Sequence, residues 1–306
     1  MISLQKSQSF AYVQSFTLEC LLRNLFIWTL LFCATNAFGE SFESLDQQAI
    51  VAALSGADEI SPGVQLSDRS SVANRLAVRK YLEATFSLLG LTTTPHNYGT
   101  GENAFARLAA TNNSGVSAPA LVLGAHFDSV SRSPGAHDNA TGIAMVYGVA
   151  AALNALSCRS REVLFVFFDE EERGLIGSKN FARFLKTGGE PVHSVHTIDQ
   201  VGWDQDGDRA LELELPTREL EQIYRQVAVD NGFTMPLHRT STSSTDHSSF
   251  RSAGYAAVGI TEEYVNGDTT PHYHRSTDTF ATVDFSYLEH STAFMSAVFA
   301  SLVACK

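Results

Sequence analysis

Strand-length apolar runs alternate with helical segments along most of this chain, and no other feature of the sequence narrows the fold as far. The runs are "ALVLGAHFD" (120–128), "VLFVFFDEE" (163–171), "VHTIDQVG" (195–202) and "AAVGITEE" (256–263). Between them "GIAMVYGVAAALNAL", "GSKNFARFLKT" and "LEQIYRQVAVDNG" carry helical spacing, and "SYLEHSTAFMSAVFASLVA" closes the chain as a long helix. Alternation of this kind indicates a parallel sheet with helices on both faces. The expected fold is therefore α/β: a three-layer α/β/α sandwich around a mostly parallel, mixed central sheet. From Ser44 to Gly90 the pattern is also helical, with Val72, Leu76, Arg79, Leu82, Phe86 and Leu89 three or four apart and a stop at Gly90. No linker follows residue 44, so residues 38–306 read as one domain, with the chemistry-bearing motifs within 120–280.

The N-terminus is of a different character. Lys6 and Arg23 precede the short apolar run "LFIWTLLFCA", and "TNAFGE" places small residues near Ala37. That order is that of a secretory signal peptide, residues 1–37, and implies a secreted or periplasmic protein. The run is short for a membrane span of about 20 residues. A retained anchor is the alternative, because the leading segment is long. No stable membrane association is expected after cleavage. Cys158 and Cys305 then remain, and they read equally as a disulfide or as two core residues. A formal charge of −12 argues against nucleic acid or anionic membrane as a partner held by bulk electrostatics.

Polar residues recur where the strand-like runs end, which is where open α/β sheets bind their ligands. His126 and Asp128 end the first run, Asp169, Glu170, Glu171 and Glu172 end the second, and Asp199 ends the third. "GAHDNATG" adds His137 and Asp138, and "PHYHRSTDT" adds His272, His274 and Asp278. Four consecutive carboxylates after a buried strand repel one another and resist desolvation, so a cation should face them. Imidazole and carboxylate converging from separate strands suit Zn²⁺, with Mn²⁺ or Co²⁺ as substitutes. Two such ions about 3.5–4 Å apart need a carboxylate between them.

In "HFD", "DNATG", "EERGLIGS", "TID" and "YHRSTDT" the chain resembles the secreted di-zinc aminopeptidases, the family of aminopeptidase Y and the bacterial leucyl aminopeptidases. The resemblance covers roughly residues 100 to 300, with every ligand position filled in order. It implies two zinc ions per chain, one held by His126 and Asp199, the other by Glu172 and His274, with Asp138 bridging. It makes Glu171 the general base and sets Asp128 behind His126 to orient its ring, with Asp278 serving similarly near His274. "RGLIGS" sets the register of the acidic run, which the residues alone leave open by one position. Asp169 and Glu170 are then solvated or paired with Arg173. Tyr273, beside His274, is a candidate donor to the oxyanion, or else a packing residue. Gly174 and Gly177 are expected to let the strand turn into a helix.

The expected function is thus a zinc-dependent aminopeptidase, a co-catalytic metalloexopeptidase acting on peptide substrates. A carboxypeptidase or dipeptidase on the same metals, or a single-zinc glutaminyl cyclase on the same fold, stays open. A carboxypeptidase would want an Arg or Lys clamp, and Arg239, Arg251 and Arg275 cannot be placed from sequence. The remaining features have blander readings. His137 reads as a rim residue and His272 as an exposed neighbour. Asp204 to Asp208 read as a turn, lacking the distal Glu of a calcium loop. Asp246 and His247 lie in a segment that borders the substrate cleft in the family it resembles.

Overall fold

In the computed structural model, which describes residues 47–111 and 118–305, eight strands share one sheet. The expected signal peptide, residues 1–37, lies outside the described residues. In chain order the strands are β1 (Thr93–Asn97), β2 (Glu102–Leu108), β3 (Ala118–His126), β4 (Arg161–Phe168), β5 (Val192–Ile198), β6 (Leu211–Glu214), β7 (Leu237–Thr240) and β8 (Ala257–Thr261). The helices are α1 (47–54), α2 (Val72–Ser87), α3 (Thr141–Asn154), α4 (Ile176–Gly188), α5 (Arg218–Asn231), α6 (His247–Ser252) and α7 (Phe285–Val303). The spatial order is β1-β2-β4-β3-β5-β8-β6-β7. Neighbours β4, β3, β5 and β8 run parallel, as do β6 and β7, while β1–β2, β2–β4 and β6–β8 are antiparallel. This is the mixed, centrally parallel sheet expected from the alternation.

Strands β3 and β4 lie inside the sheet and are apolar on both faces, as strands covered by two helical layers must be. Leu121, Leu123 and Ala125 join Val78, Leu82 and Phe86 of α2, most of α3, and Phe294 and Phe299 of α7 in one core. Ala120 and Val122, alternating with them, join Phe181 and Leu185 of α4 and Phe250 of α6 in another. Two apolar layers on opposite faces of one sheet make the three-layer sandwich. Helix starts follow the local chemistry: Ser71, Thr217 and Asp284 accept from backbone N–H groups in the first turns of α2, α5 and α7. Cys158 and Cys305 form a disulfide. Residues 46–306 form a compact unit of their own, and among the described residues no helix is long and apolar enough to cross a membrane.

The Ser44–Gly90 segment differs from its expectation. Helix is present at 47–54 and Val72–Ser87, but residues 55–71 are turns and bends. The buried face of α2 is also rotated: Arg75, Val78, Leu82 and Phe86 are covered, whereas Val72 is 70% exposed and Leu76 43%. The reason is electrostatic. Arg75 binds Asp169 (2.9 Å) and Glu170 (3.2 Å), and Arg79 binds Asp169 (3.4 Å), so those acids dictate which side of α2 turns inward.

Candidate metal centre

Parallel register brings the site together. His126 is paired with Phe168, and Ala125 with Ile198, so β3, β4 and β5 end side by side. His126 closes β3, Glu171 and Glu172 follow β4, and Asp199 follows β5. Asp138 arrives on the irregular segment Ala136–Ala140 that leads into α3, and His274 on the loop between β8 and α7. His126 Nε2 lies 3.1 Å from Asp138 Oδ1, 3.6 Å from Asp199 Oδ1 and 4.0 Å from Glu171 Oε2. His274 Nε2 lies 3.2 Å from Asp138 Oδ2 and 3.0 Å from Glu172 Oε2. The donors therefore fall into two sets, His126–Asp138–Asp199 and Asp138–Glu172–His274, each within 4.8 Å and joined by Asp138.

These residues fit a pair of divalent cations. His126 Nε2, Asp199 Oδ1 and Glu172 Oε1 are buried with no hydrogen-bond partner, a costly state unless a cation engages them. Two imidazole nitrogens with three carboxylates suit zinc. The electrostatics agree. Burial alone would lower the His126 imidazole, but the carboxylates of Glu171 and Asp199 beside it hold it well above its ordinary value. Hydrogen bonds to Asp138 and Glu172 raise His274 to about 10. Burial raises the Glu171 carboxyl well above its usual range, with Asp246 and Asp199 adding to it, and raises Asp199 to about 6. Carboxylates outnumber cations here, and metal ions relieve both kinds of shift.

The surroundings hold the donors in place. Asp128 Oδ1 is 3.5 Å from His126 Nδ1, and the ring nitrogen also meets the Asp128 carbonyl at 3.2 Å. The same carboxylate accepts the amides of Glu171 (3.0 Å) and Glu172 (3.3 Å), so Asp128 sets both of these acids as well as the imidazole. Asn139 donates to the Ile198 carbonyl and accepts from the Gly142 and Gln200 amides, tying the Asp138 segment to the end of β5. Gly174 takes the turn after the acidic run at φ 102°, and a Cβ at Gly177 would sit 2.2 Å from the Asp169 carbonyl.

Three expectations need correction. Asp278 does not serve His274: its carboxylate is fully buried and accepts the amides of His137 (2.8 Å) and Asp138 (3.2 Å), gripping the bridging segment instead. Asp169 and Glu170 are not solvated; both are buried against Arg75, although Glu170 does also pair with Arg173. His137 is no rim residue but is buried, its Nε2 3.1 Å from Thr282 Oγ1, and burial lowers it to about 4. It belongs to neither donor set. Asp204 to Asp208 form the turn between β5 and β6, as expected.

Tyr273 stacks on His274 with ring centroids 3.8 Å apart and lines a cleft together with Asp138, Glu172, Asp199 and His274. The sequence reading missed three contributors. Arg69, fully buried, donates to the carbonyls of Phe127, Pro134, Gly135 and Asp138, clamping the loops that carry Asp128 and Asp138. Gln200 and Glu214 line the cleft beside the donors. Arg69 had no sequence signal, standing outside any motif. Glu214 lies in "LELE", a segment outside every motif singled out above, and all four of its residues are buried.

Comparison with known proteins agrees with this geometry. A family model described as peptidase family M28 matches residues 103–299. A probable leucine aminopeptidase of Arthroderma benhamiae is 28% identical over 194 residues, covering 58% of this chain and 52% of its own. The chain spans about half the length of the curated relatives it matches. Among solved structures, Legionella pneumophila LapA aminopeptidase superposes with a TM-score of 0.75 at 19% identity, over 86% of this chain and 72% of that one. A zinc aminopeptidase from Bacillus subtilis gives 0.62 at 23% identity, over 67% and 51%. Porphyromonas gingivalis glutaminyl cyclase gives 0.65 at 16% identity, over 85% and 98%.

Proposed function

The chain belongs to peptidase family M28, and from that premise we propose that it is a secreted, zinc-dependent aminopeptidase that removes N-terminal residues from peptides. The observation that carries this reading is the lining of the cleft. Asp138, Glu171, Glu172, Asp199 and Glu214 border it, and among the described residues no Lys or Arg does. Such a cleft attracts the α-ammonium group of a peptide and repels its carboxylate. Of the three arginines weighed for a carboxylate clamp, Arg239 is engaged with Glu221 and Arg251 with the Ala257 carbonyl, and Arg275 does not line the cleft.

His126, Asp138 and Asp199 would hold one ion, and Asp138, Glu172 and His274 the other. When bound, a zinc pair lowers the pKa of water towards about 7 and polarises the scissile carbonyl. Glu171 takes the proton from the attacking water and passes it to the leaving amine. Burial suits it to this task by raising its proton affinity. Asp128 holds Glu171 and Glu172 by their amides, so base and ligand keep a fixed separation. Tyr273, at the cleft wall, offers its hydroxyl to the developing oxyanion. The Cys158–Cys305 disulfide supports an oxidising compartment and, with it, the secretory reading of residues 1–37.

The test is metal content together with hydrolysis of aminoacyl-p-nitroanilides, on protein starting at Phe38. The expected result is two zinc ions per chain, activity lost to chelator and restored by zinc, and a Glu171→Gln variant that keeps its metal and loses about 10²–10⁴-fold in kcat. One zinc with cyclisation of N-terminal glutamine would establish the cyclase instead. Two zinc ions with cleavage only at carboxyl termini would establish a carboxypeptidase.

A further inference from the structure

The far wall of the cleft is unlike a site for an aliphatic side chain. Beyond the metal donors and Glu171 it is formed by Gln200, Glu214, Thr242, Ser244, Thr245 and Thr261, with Tyr264 and Tyr273 at its mouth. None of these is aliphatic, and one is a carboxylate only 1% exposed. A leucine side chain placed here would cover polar groups without returning a hydrogen bond to any of them, and such groups are expensive to leave unpaired.

Glu214 is a built feature. It projects from β6 on the face where β6 pairs with β8, directly opposite Gly259. A Cβ at Gly259 would fall 2.3 Å from Glu214 Oε2 and 2.7 Å from His247 Nδ1, so the missing side chain is what lets the carboxylate lie across β8. Thr245 donates to Glu214 Oε2 at 2.5 Å, and His247 Nδ1 stands 3.3 Å from the same oxygen. His247 is itself held through Nε2, which donates to the Thr242 carbonyl at 3.1 Å. Thr245, which fixes Oε2, and His247 beside it thus belong to the 242–247 segment of the cleft wall.

A second group points to the same chemistry. Gln200, which follows the ligand Asp199, lines the cleft and carries a buried Oε1 with no hydrogen-bond partner. It is an acceptor waiting for a donor. Glu214 belongs to neither donor set, yet it lines the same cleft.

We propose that Glu214, with Gln200, forms the specificity pocket of this site and selects N-terminal residues with a cationic side chain, lysine or arginine. An ammonium or guanidinium group supplies several N–H donors and the opposite charge. The assignment rests on the aminopeptidase reading above, and the experiment separates the two. The kcat/KM values of zinc-loaded protein are measured with lysyl-, arginyl- and leucyl-p-nitroanilide. The expected result is a preference of at least about 10-fold for the cationic residues, because a pocket built for donors rejects a side chain that has none. In Glu214→Gln, which keeps the shape of the side chain and removes its charge, the lysine-to-leucine ratio falls by about 10-fold or more. A binding readout accompanies this: L-lysinamide raises the melting temperature of zinc-loaded Glu171→Gln more than L-leucinamide at equal concentration. A wild-type preference for leucine, or a ratio that a folded Glu214→Gln leaves unchanged, would overturn the pocket assignment while leaving the aminopeptidase intact. Failure to cleave any of the three reporters with two zinc ions bound would overturn both.

Discussion

Asp138 is the residue on which the site turns, since its two oxygens face the two imidazoles, His126 and His274, at 3.1 and 3.2 Å. The two imidazoles beside it hold its carboxyl below the usual range even though burial opposes this. Its position depends on groups that never meet a metal donor's partner atom: Asp278 binds its amide and Arg69 binds its carbonyl. Removing the Asp278 carboxylate frees the amides of His137 and Asp138 and lets the bridge shift. We expect Asp278→Ala to weaken zinc retention about 10–100-fold, as loss of an orienting partner does, with a readout in competition against a chromophoric chelator. Unchanged zinc affinity would show that the segment is held without it. The cluster of candidate donors was legible in the sequence because each follows a strand or lies in a compact motif. Asp278 was legible as a participant but not in its target, because a loop lets a carboxylate reach either of two neighbours. Arg69 and Glu214 were illegible, since burial of a charged residue depends on partners brought in by the fold.

Helix α2 shows the same limit at the scale of an element. Its apolar spacing pointed to a face containing Val72 and Leu76, yet the helix presents Arg75 to the sheet, because Asp169 and Glu170 lie buried beyond β4. The acidic run is therefore neutralised in two halves. Arg75 and Arg79 take Asp169 and Glu170, while Glu171 and Glu172 face the donor sets. Arg75→Met leaves two buried carboxylates short of a partner and should cost about 3–5 kcal/mol, read as a lower urea midpoint. A cost under about 0.5 kcal/mol, as at an ordinary surface site, would show that Arg79 and Arg173 suffice.

Strand β5 carries a second consequence. His196 is fully buried between Ser194 and Tyr224, and burial lowers it to about 3. The folded state thus keeps it neutral while the unfolded chain binds a proton below about pH 6.5. Its contribution is full above that pH and drains away as pH falls towards 3, by up to about 1.4 kcal/mol per pH unit. The stability of His196→Gln between pH 7 and 4 should therefore fall less steeply than that of the wild type. Parallel curves would remove His196 from the acid response.

At the scale of the whole molecule, strand–helix alternation was enough to read the three layers and the central parallel strands, because a strand apolar on both faces has few other homes. The edges escaped it. β1, β2, β6 and β7 are short or polar, and their place follows from pairing with strands already present. Pairing of Cys158 with Cys305 was equally beyond periodicity, since it needs two points 147 residues apart to meet. They meet because α7 packs along α3 and returns the chain to the start of β4, where the Ser160 amide bonds the Val303 carbonyl at 2.7 Å. The bond thereby closes a loop containing α4 to α7, strands β4 to β8, and the candidate donors Glu172, Asp199 and His274, leaving His126 and Asp138 outside. Opening it enlarges the unfolded ensemble far more than it disturbs the folded site. We therefore expect Cys158→Ser/Cys305→Ser to lose about 2–4 kcal/mol of stability in urea while keeping its zinc content and its kcat at 25 °C. A loss of zinc in the folded double variant would show instead that the clasp positions the site.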